Sequence, residues 1–272
     1  MKSREVPFSM FYEAKYRLLD TEKLKSKSDT AIPVIVSLTT IPFRLNRVFV
    51  TVRSILNQSA KPTKVILWLH DSLKNKVPKN LKKLEGDVFS VQFTALNSSH
   101  VKLVPTMAQY PDHVIVTCDD DLMYDQDWLK GLYEQHLKHP EAIIAHKVRQ
   151  IQFDEHNQPL TYSKWKLNDT TKPETFLALG SSGVLYPANC FSSMVLDDQL
   201  YMKLAPKADD LWFKAMAMLS NRTIVTTAFE PKGTYPRMAT QKVSLKKQNI
   251  GQNKNNEQWA ALVAHFNLHF NP

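Results

Sequence analysis

The stretch Val114 to Asp121, Val-Ile-Val-Thr-Cys-Asp-Asp-Asp, limits what this chain can become more than any other. Val114, Ile115 and Val116 are β-branched with no charge among them, the composition of a strand buried on both faces of a largely parallel sheet. The run then ends in three adjacent carboxylates. Like charges this close raise one another's pKa unless something positive neutralises them, and a divalent cation bound through carboxylate oxygens does so most simply. In open α/β sheets ligands bind beyond the carboxyl ends of strands, so the position suits a metal and catalytic centre. An acidic turn that does no more than cap a helix over Asp125 to His136 is the bland alternative, and the triplet alone does not separate the two.

The order of elements around this stretch predicts a doubly wound fold. Ile32 to Leu38 reads as the first strand, Thr39 to Asn46 as a polar loop, and Arg47 to Gln58 as a helix. Lys64 to Leu69 and Val88 to Phe93 read as the second and third strands, and Lys102 to Tyr110 as the helix leading into the acidic strand. Ahead of them, Glu5 to Leu19 is a short helix with Phe8, Phe11, Tyr12, Tyr16 and Leu19 on a stripe expected to pack on the core, followed by a polar linker over Lys23 to Thr30. Ile143 to His146 is a further strand. Gln150 to Pro173 has no clear period and is expected to be an insertion.

Two features follow the acids. Leu179 to Pro187 carries Gly180 and Gly183, two of the six glycines, which implies a turn where backbone approaches a ligand closely. Lys207 to Leu219 opens a helix with Asp209 and Asp210 in its first turn. Acids there are favoured by the helix dipole, so capping alone accounts for them unless they serve chemistry. In the last segment Trp259, Leu262, Val263, Phe266 and Phe270 fall at helical spacing, and packing against the core is the expected use of that stripe over membrane insertion.

Charge and cysteine content exclude several classes. The formal net charge of +9 is uneven: Lys61, Lys64, Lys74, Lys76, Lys79, Lys82 and Lys83 crowd one segment in which Asp71 is the only acid up to Lys83. Without interleaved aromatics or a recognised motif this segment does not read as a nucleic-acid site, whereas an anionic membrane surface or plain solvation both suit it. Cys118 and Cys190 supply neither a disulfide framework nor a zinc set and are expected to be reduced and structural. No run has the apolar length of a membrane span, and Met1 to Arg4 opens without the apolar core of a secretory signal, so a cytoplasmic protein is expected.

Ser37 to Pro42 (Ser-Leu-Thr-Thr-Ile-Pro), Lys102-Leu103, Asp119-Asp120-Asp121, Gly183 to Pro187 (Gly-Val-Leu-Tyr-Pro) and Asp209-Asp210 followed by Leu-Trp-Phe come in an order and spacing that resembles the bacterial GT-A-fold glycosyltransferases of capsule and lipopolysaccharide synthesis, the family-2-like enzymes with a DxD motif. The resemblance runs from Ile32 to Phe270. It implies an α/β protein with a single Rossmann-like, doubly wound domain, a mostly parallel central sheet and an acceptor-side insertion. The N-terminal extension would be residues 1–31 and the GT-A domain 32–272, with 32–121 the nucleotide-binding half and 122–272 the acceptor half.

By the same resemblance, Ser37, Thr39, Thr40 and Arg44 would cup the base and ribose of a nucleotide-sugar, a UDP-sugar being expected. Lys102 would lie near the nucleotide or its diphosphate. Asp119 and Asp121 would take the ribose and a Mn²⁺ or Mg²⁺ ion bridging the diphosphate, with Asp120 between them. Asp209-Asp210 would supply the base of an inverting hexosyltransferase, Asp210 above all. A carboxylate within reach of the acceptor hydroxyl is what general-base chemistry requires, and a divalent ion stabilises the charge gathering on a diphosphate leaving group. The acceptor would be a glycan, lipid-linked, met by a peripheral protein on an anionic membrane face.

The chain departs from the family pattern near its end. A C-terminal histidine ligand could come only from His265 or His269, and a lone histidine on a half-apolar helix is more often packed than ligated. Asn255-Asn256 stands where an Asn-Asp pair is usual, and Lys246, Lys247 and Lys254 could close over a diphosphate or simply face water. A Mg²⁺-dependent phosphoryl transferase or phosphatase would also want clustered acids, but the glycine-rich phosphate loop is absent after the first strand. A non-catalytic nucleotide-sugar-binding module would not need both acid groups.

Overall fold

The uninterrupted apolar runs become neighbouring central strands. In the computed structural model, which describes residues 5–168, 171–227, 235–236 and 253–270, β1 (Ile32–Thr39) lies between β2 (Pro62–His70) and β4 (Val114–Thr117) and is parallel to both. Val34 to Leu38 are all buried, as a strand covered on both faces requires. With β3 (Phe89–Thr94), β6 (Ile143–Ala145), β10 (Val184–Tyr186) and β11 (Ile224–Thr226), these strands form one seven-stranded sheet in the order β11-β6-β10-β4-β1-β2-β3. All its pairings are parallel except those of β10, which runs against both β4 and β6.

The two-residue side-chain period sorts neighbouring residues of β4 onto opposite layers. Val116 joins a core with Val34, Val36 and Leu38, the helix α3 (Phe49–Leu56) and Trp128 of α6 (Trp128–Lys138). Ile115 faces the other way, toward Leu211, Trp212 and Met216 of α8 (Asp209–Leu219) and Trp259 and Leu262 of the last helix, Lys254–Phe266. Trp259 and Leu262 are buried, so the apolar stripe of the last helix closes the fold, as expected. Both cysteines are free and buried.

Several expectations change. The polar stretch after the first helix holds a short helix, α2 (Thr21–Lys25), because the Asp20 side chain accepts from the Glu22 and Lys23 amides at its start. Gln150 to Pro173 is not a structureless insertion. It contributes Gln150 of β7 (Val148–Gln150) and all of β8 (Lys166–Leu167) to an antiparallel sheet completed by β9 (Phe176–Ala178), strands too short to show a period. The segment before α5 (Val104–Gln109) is a 3₁₀ turn, Ser99–Lys102, and α6 starts at Trp128, three residues later than Asp125. A pair, β5 (Leu122–Met123) with β12 (Tyr235–Pro236), and the helix α7 (Asp198–Leu204) were not expected at all.

The first helix, α1 (Val6–Leu18), packs on the core with part of its stripe only. Tyr16 is buried and its hydroxyl donates to the Tyr124 carbonyl at 2.9 Å, and Tyr12 and Leu19 pack beside it, whereas Phe8 and Phe11 face outward. Among the described residues no helix is long and apolar enough to cross a membrane. The carboxyl ends of β1 and β4 lie side by side, with Ser37 opposite Thr117, and the chain leaves β1 toward β2 on one side while β4 flanks it on the other. That is the switch point at which open α/β sheets form a crevice.

Candidate active site

Five carboxylates and two cations converge at that crevice from four separate segments. Arg44 comes from the turn after β1, its guanidinium donating to Asp120 Oδ1 at 2.6 Å while a second nitrogen lies 3.0 Å from Asp121 Oδ2. Thr40 also donates to Asp120, and Thr51 of α3 donates to the Asp120 and Leu122 carbonyls at 2.9 and 2.7 Å, which holds the acidic turn open beyond the strand. Lys102 comes from the 3₁₀ turn before α5. Its Nζ lies 2.7 Å from Asp119 Oδ1 and 3.1 Å from Asp209 Oδ2, joining the strand end to the start of α8. Asp210 accepts from the Gly180 amide at 3.1 Å.

The charge balance decides how these acids behave. If all five were ionised, two cations would leave three negative charges uncompensated in a largely buried cluster. Burial, with repulsion from Asp119 and Asp120 outweighing Arg44, pushes Asp121 up to about 7. Burial and the neighbouring Asp209 push Asp210 up to about 7 as well, against the pull of Lys102. Asp209 goes the other way: burial works against its charge, but Lys102 holds it below the ordinary carboxylate range. Lys102 in turn, although buried, is kept charged by Asp119, Asp209 and Asp210. Adjacent acids thus divide into an ionised anchor, Asp209, and a group poised to exchange a proton near neutrality, Asp210.

The donor set suits a divalent cation bound jointly with a ligand. Among the described residues no group of three or more His, Cys, Asp or Glu side chains is arranged to hold an ion by itself. Asp119 and Asp121 are the two strand-end acids whose side chains keep the most exposed surface, 31 % and 13 % against 6 % for Asp120. Magnesium-like sites are commonly built from one or two carboxylates completed by substrate phosphates, and this cluster has negative charge to spare for one.

The residues expected from sequence do not all reach the crevice. Asp119, Asp120, Asp121, Arg44, Thr40, Lys102, Asp209 and Asp210 come together there. Thr39 stands beside them, half-buried, donating to the Trp68 carbonyl at 3.0 Å. Ser37 does not: it is fully buried within β1, with its oxygen 2.6 Å from Thr106 Oγ1, which also accepts from the Trp68 indole. It braces α5 against the sheet and has no surface to offer a nucleotide. Lys246 and Lys247 lie outside the described residues.

Other residues that shape the site were not singled out from sequence. The Tyr124 hydroxyl accepts from the Asp119 amide at 2.8 Å and reaches the Ser181 carbonyl at 3.1 Å, while the Trp128 indole donates to the Ser182 carbonyl at 2.7 Å. Two aromatics four residues apart, just past the acids, were the available signal. They fasten the Gly180–Ser182 turn to the acidic strand. Gly183 follows with φ +109°, and a Cβ there would meet the Trp128 ring at 2.4 Å, so this position requires glycine. At Gly180 a Cβ would lie 2.8 Å from Asp210 Oδ1 and 3.2 Å from Lys102 Nζ. The close approach at this turn is to the site's own side chains, where approach to a ligand was expected.

The molecule so described is a mixed α/β protein with a mostly parallel central sheet and an acidic crevice at its switch point. No protein-family model matches the sequence, and no curated protein matches it. Among solved structures it is similar to a CMP-2-keto-3-deoxy-manno-octonic acid synthetase complexed with CTP, at 13 % identity and a TM-score of 0.48, over 83 % of this chain and 99 % of that one. Similarity at that level says nothing of the chemistry, which rests on the site itself.

Proposed function

We propose that the protein is a metal-dependent glycosyltransferase that moves a sugar from a nucleotide-sugar, a UDP-sugar, to a glycan acceptor carried on a lipid, in the building of a bacterial surface polysaccharide, with inversion at the anomeric carbon. The observation that carries this reading is the pairing of two chemically different acid groups across Lys102: the Asp119 and Asp121 carboxylates at the end of β4, and Asp210 at the start of α8 with its pKa near 7. The motif order from Ser37 to Asp210 supports the same family.

In this account Thr39, Thr40 and Arg44 would border the base and ribose, and Asp119 and Asp121 would hold the ion and the ribose. A Mn²⁺ or Mg²⁺ bound there would act as a Lewis acid on the diphosphate. Lys102, close to the diphosphate, adds fixed positive charge where the leaving group becomes more negative. Asp210, deprotonated above neutrality, takes the acceptor's hydroxyl proton as the acceptor oxygen bonds to the anomeric carbon and the carbon–phosphate-oxygen bond breaks, its electrons leaving with the nucleoside diphosphate. The Gly180 amide fixes the direction from which Asp210 reaches that proton.

A phosphoryl transferase would need a backbone phosphate cradle after β1, where this chain has Thr39, Thr40, Ile41 and Pro42. The experiment that tests the reading is nucleotide release from a panel of UDP-sugars, with Mn²⁺ and a membrane lipid extract as acceptor source. Release dependent on both, and lost in Asp210→Asn, is expected. Release of inorganic phosphate instead would move the protein to another class.

A further inference from the structure

Lys214 is a buried cation that the chemistry proposed above leaves unused. It belongs to α8, is 5 % exposed, and its Nζ donates to the Glu174 carbonyl at 3.0 Å. Among the described residues no carboxylate lies within ion-pair distance of it. The acid whose charge acts on it, Glu174, is exposed, and burial pushes the Lys214 ammonium down to about 8. A buried charge held by one neutral carbonyl is costly, and an apolar side chain of the same length would serve packing at least as well. Stability therefore gives no reason for a lysine here.

Its placement gives one. Residues four apart lie on one face of a helix, so Lys214 and Asp210 look the same way, and they meet β9 at its two ends. The Gly180 amide, just past β9, donates to Asp210 Oδ1 at 3.1 Å. The Glu174 carbonyl, in the 3₁₀ turn Pro173–Thr175 just ahead of β9, accepts from Lys214. Between these two fastenings Ala178, Tyr186, Asp210, Phe213 and Lys214 help to line a cavity of about 10 Å³, near the room one water needs. Packing is incomplete there, so the hydrogen bonds at either end set the spacing of α8 from β9. We propose that Lys214 is a positioning residue: by holding the Glu174 carbonyl it fixes α8 against β9 and so keeps the Asp210 carboxylate on the Gly180 amide, aimed at the acceptor hydroxyl. This rests on the reading of Asp210 as the base. Lys214 acts through Asp210 and takes no part in the proton transfer itself.

The test is Lys214→Met, which keeps the length of the side chain and removes the donor. Lys214→Leu is measured beside it and held to the same outcomes, so that poor folding of one variant leaves the question decided by the other. The variants should keep the parent's melting temperature or exceed it, since an unpaired buried charge is gone. By NMR the Gly180 amide should exchange about tenfold faster or more, a local opening, while the amides of β1 and β4 keep their rates. UDP release from UDP-sugars, with Mn²⁺ and the membrane lipid extract, should show kcat roughly tenfold lower or worse at an unchanged KM for the donor. A Gly180 amide as protected as the parent's overturns the proposal, and so does the parent's kcat. Faster exchange that includes β1 and β4 would make Lys214 a part of the fold only, and overturns it as well. A parent that releases no UDP would remove the proposed glycosyl transfer, while the amide rates and the melting temperature still decide whether Lys214 sets the Asp210 contact.

Discussion

Lys102 Nζ sits 3.1 Å from Asp209 Oδ2 and 2.7 Å from Asp119 Oδ1, so one buried ammonium joins the end of β4 to the start of α8. Removing it strands the buried Asp209 carboxylate and leaves the partly exposed Asp119 without its cation. Breaking a buried ion pair from one side costs about 3–5 kcal/mol, and Lys102→Met should lower the melting temperature by roughly 5–15 °C. Asp209→Asn in the same chain should recover a large part of that loss. A double-mutant cycle by urea denaturation measures the coupling, and strictly additive effects would mean the contact carries no energy.

Gly180 is held to glycine by its neighbours and not by its backbone. A methyl group would press on Asp210 Oδ1 at 2.8 Å and on Lys102 Nζ at 3.2 Å. Gly180→Ala should therefore displace the carboxylate while leaving the sheet alone, and turnover should fall by about two orders of magnitude, the scale of a 1 Å misplacement. Circular dichroism and kcat, measured together, separate this from unfolding; a variant with normal kcat would remove the positioning role.

Asp210 should set the pH dependence of the reaction. With its pKa raised to about 7, activity should climb through neutrality as it ionises, and kcat/KM should show an acid limb near that value. Asp210→Asn should lose turnover with donor affinity nearly kept, as expected for a group acting mainly in the transition state. NMR of the product should show an inverted anomer; retained configuration would take the base role from Asp210.

The same shift acts on stability, with a definite sign. Asp210 ionises near 3.8 in the unfolded chain and near 7 in the folded one, so between those values the folded protein keeps a proton that the unfolded chain has released. Stability therefore falls as pH rises through that window and stays reduced above it. Asp210→Asn has no proton to lose, and at about pH 8 it should be more stable than the parent by on the order of 1–3 kcal/mol, the two converging near pH 4. Urea midpoints across this range decide it, and a variant less stable than the parent at the upper end would contradict the assigned direction.

Much of this was legible in residue order because the central strands are unusually pure. β1, β2 and β4 are long or β-branched apolar runs flanked by polar turns, and such runs have little choice but the middle of a sheet. The acidic triplet was legible for the same reason: carboxylates that follow Val116, Thr117 and Cys118 end up at the strand's carboxyl end. β10, β11 and the small β8-β7-β9 sheet were not, since strands of two or three residues show no period and are set by their neighbours. Ser37 was misplaced because a serine in a strand alternates to one face or the other, and here its face meets Thr106. The α1 stripe was oriented wrongly in part because nine of the helix's thirteen residues are apolar or aromatic and leave more than one stripe to choose from. The Tyr16 hydroxyl's bond to the Tyr124 carbonyl selects the inward side, and periodicity carries no trace of that bond.

The central claim is that the crevice binds a nucleotide-sugar through a divalent ion held by Asp119 and Asp121, and a ligand that binds only the folded state must raise its stability by mass action. Thermal shift with UDP and a panel of UDP-sugars, with and without Mn²⁺, measures this on the parent and on Asp121→Ala. The account predicts a metal-dependent rise in melting temperature for the parent and none for Asp121→Ala, whose fold stays intact. A parent that responds to no nucleotide, or an Asp121→Ala variant that keeps the full Mn²⁺-dependent shift, would contradict it.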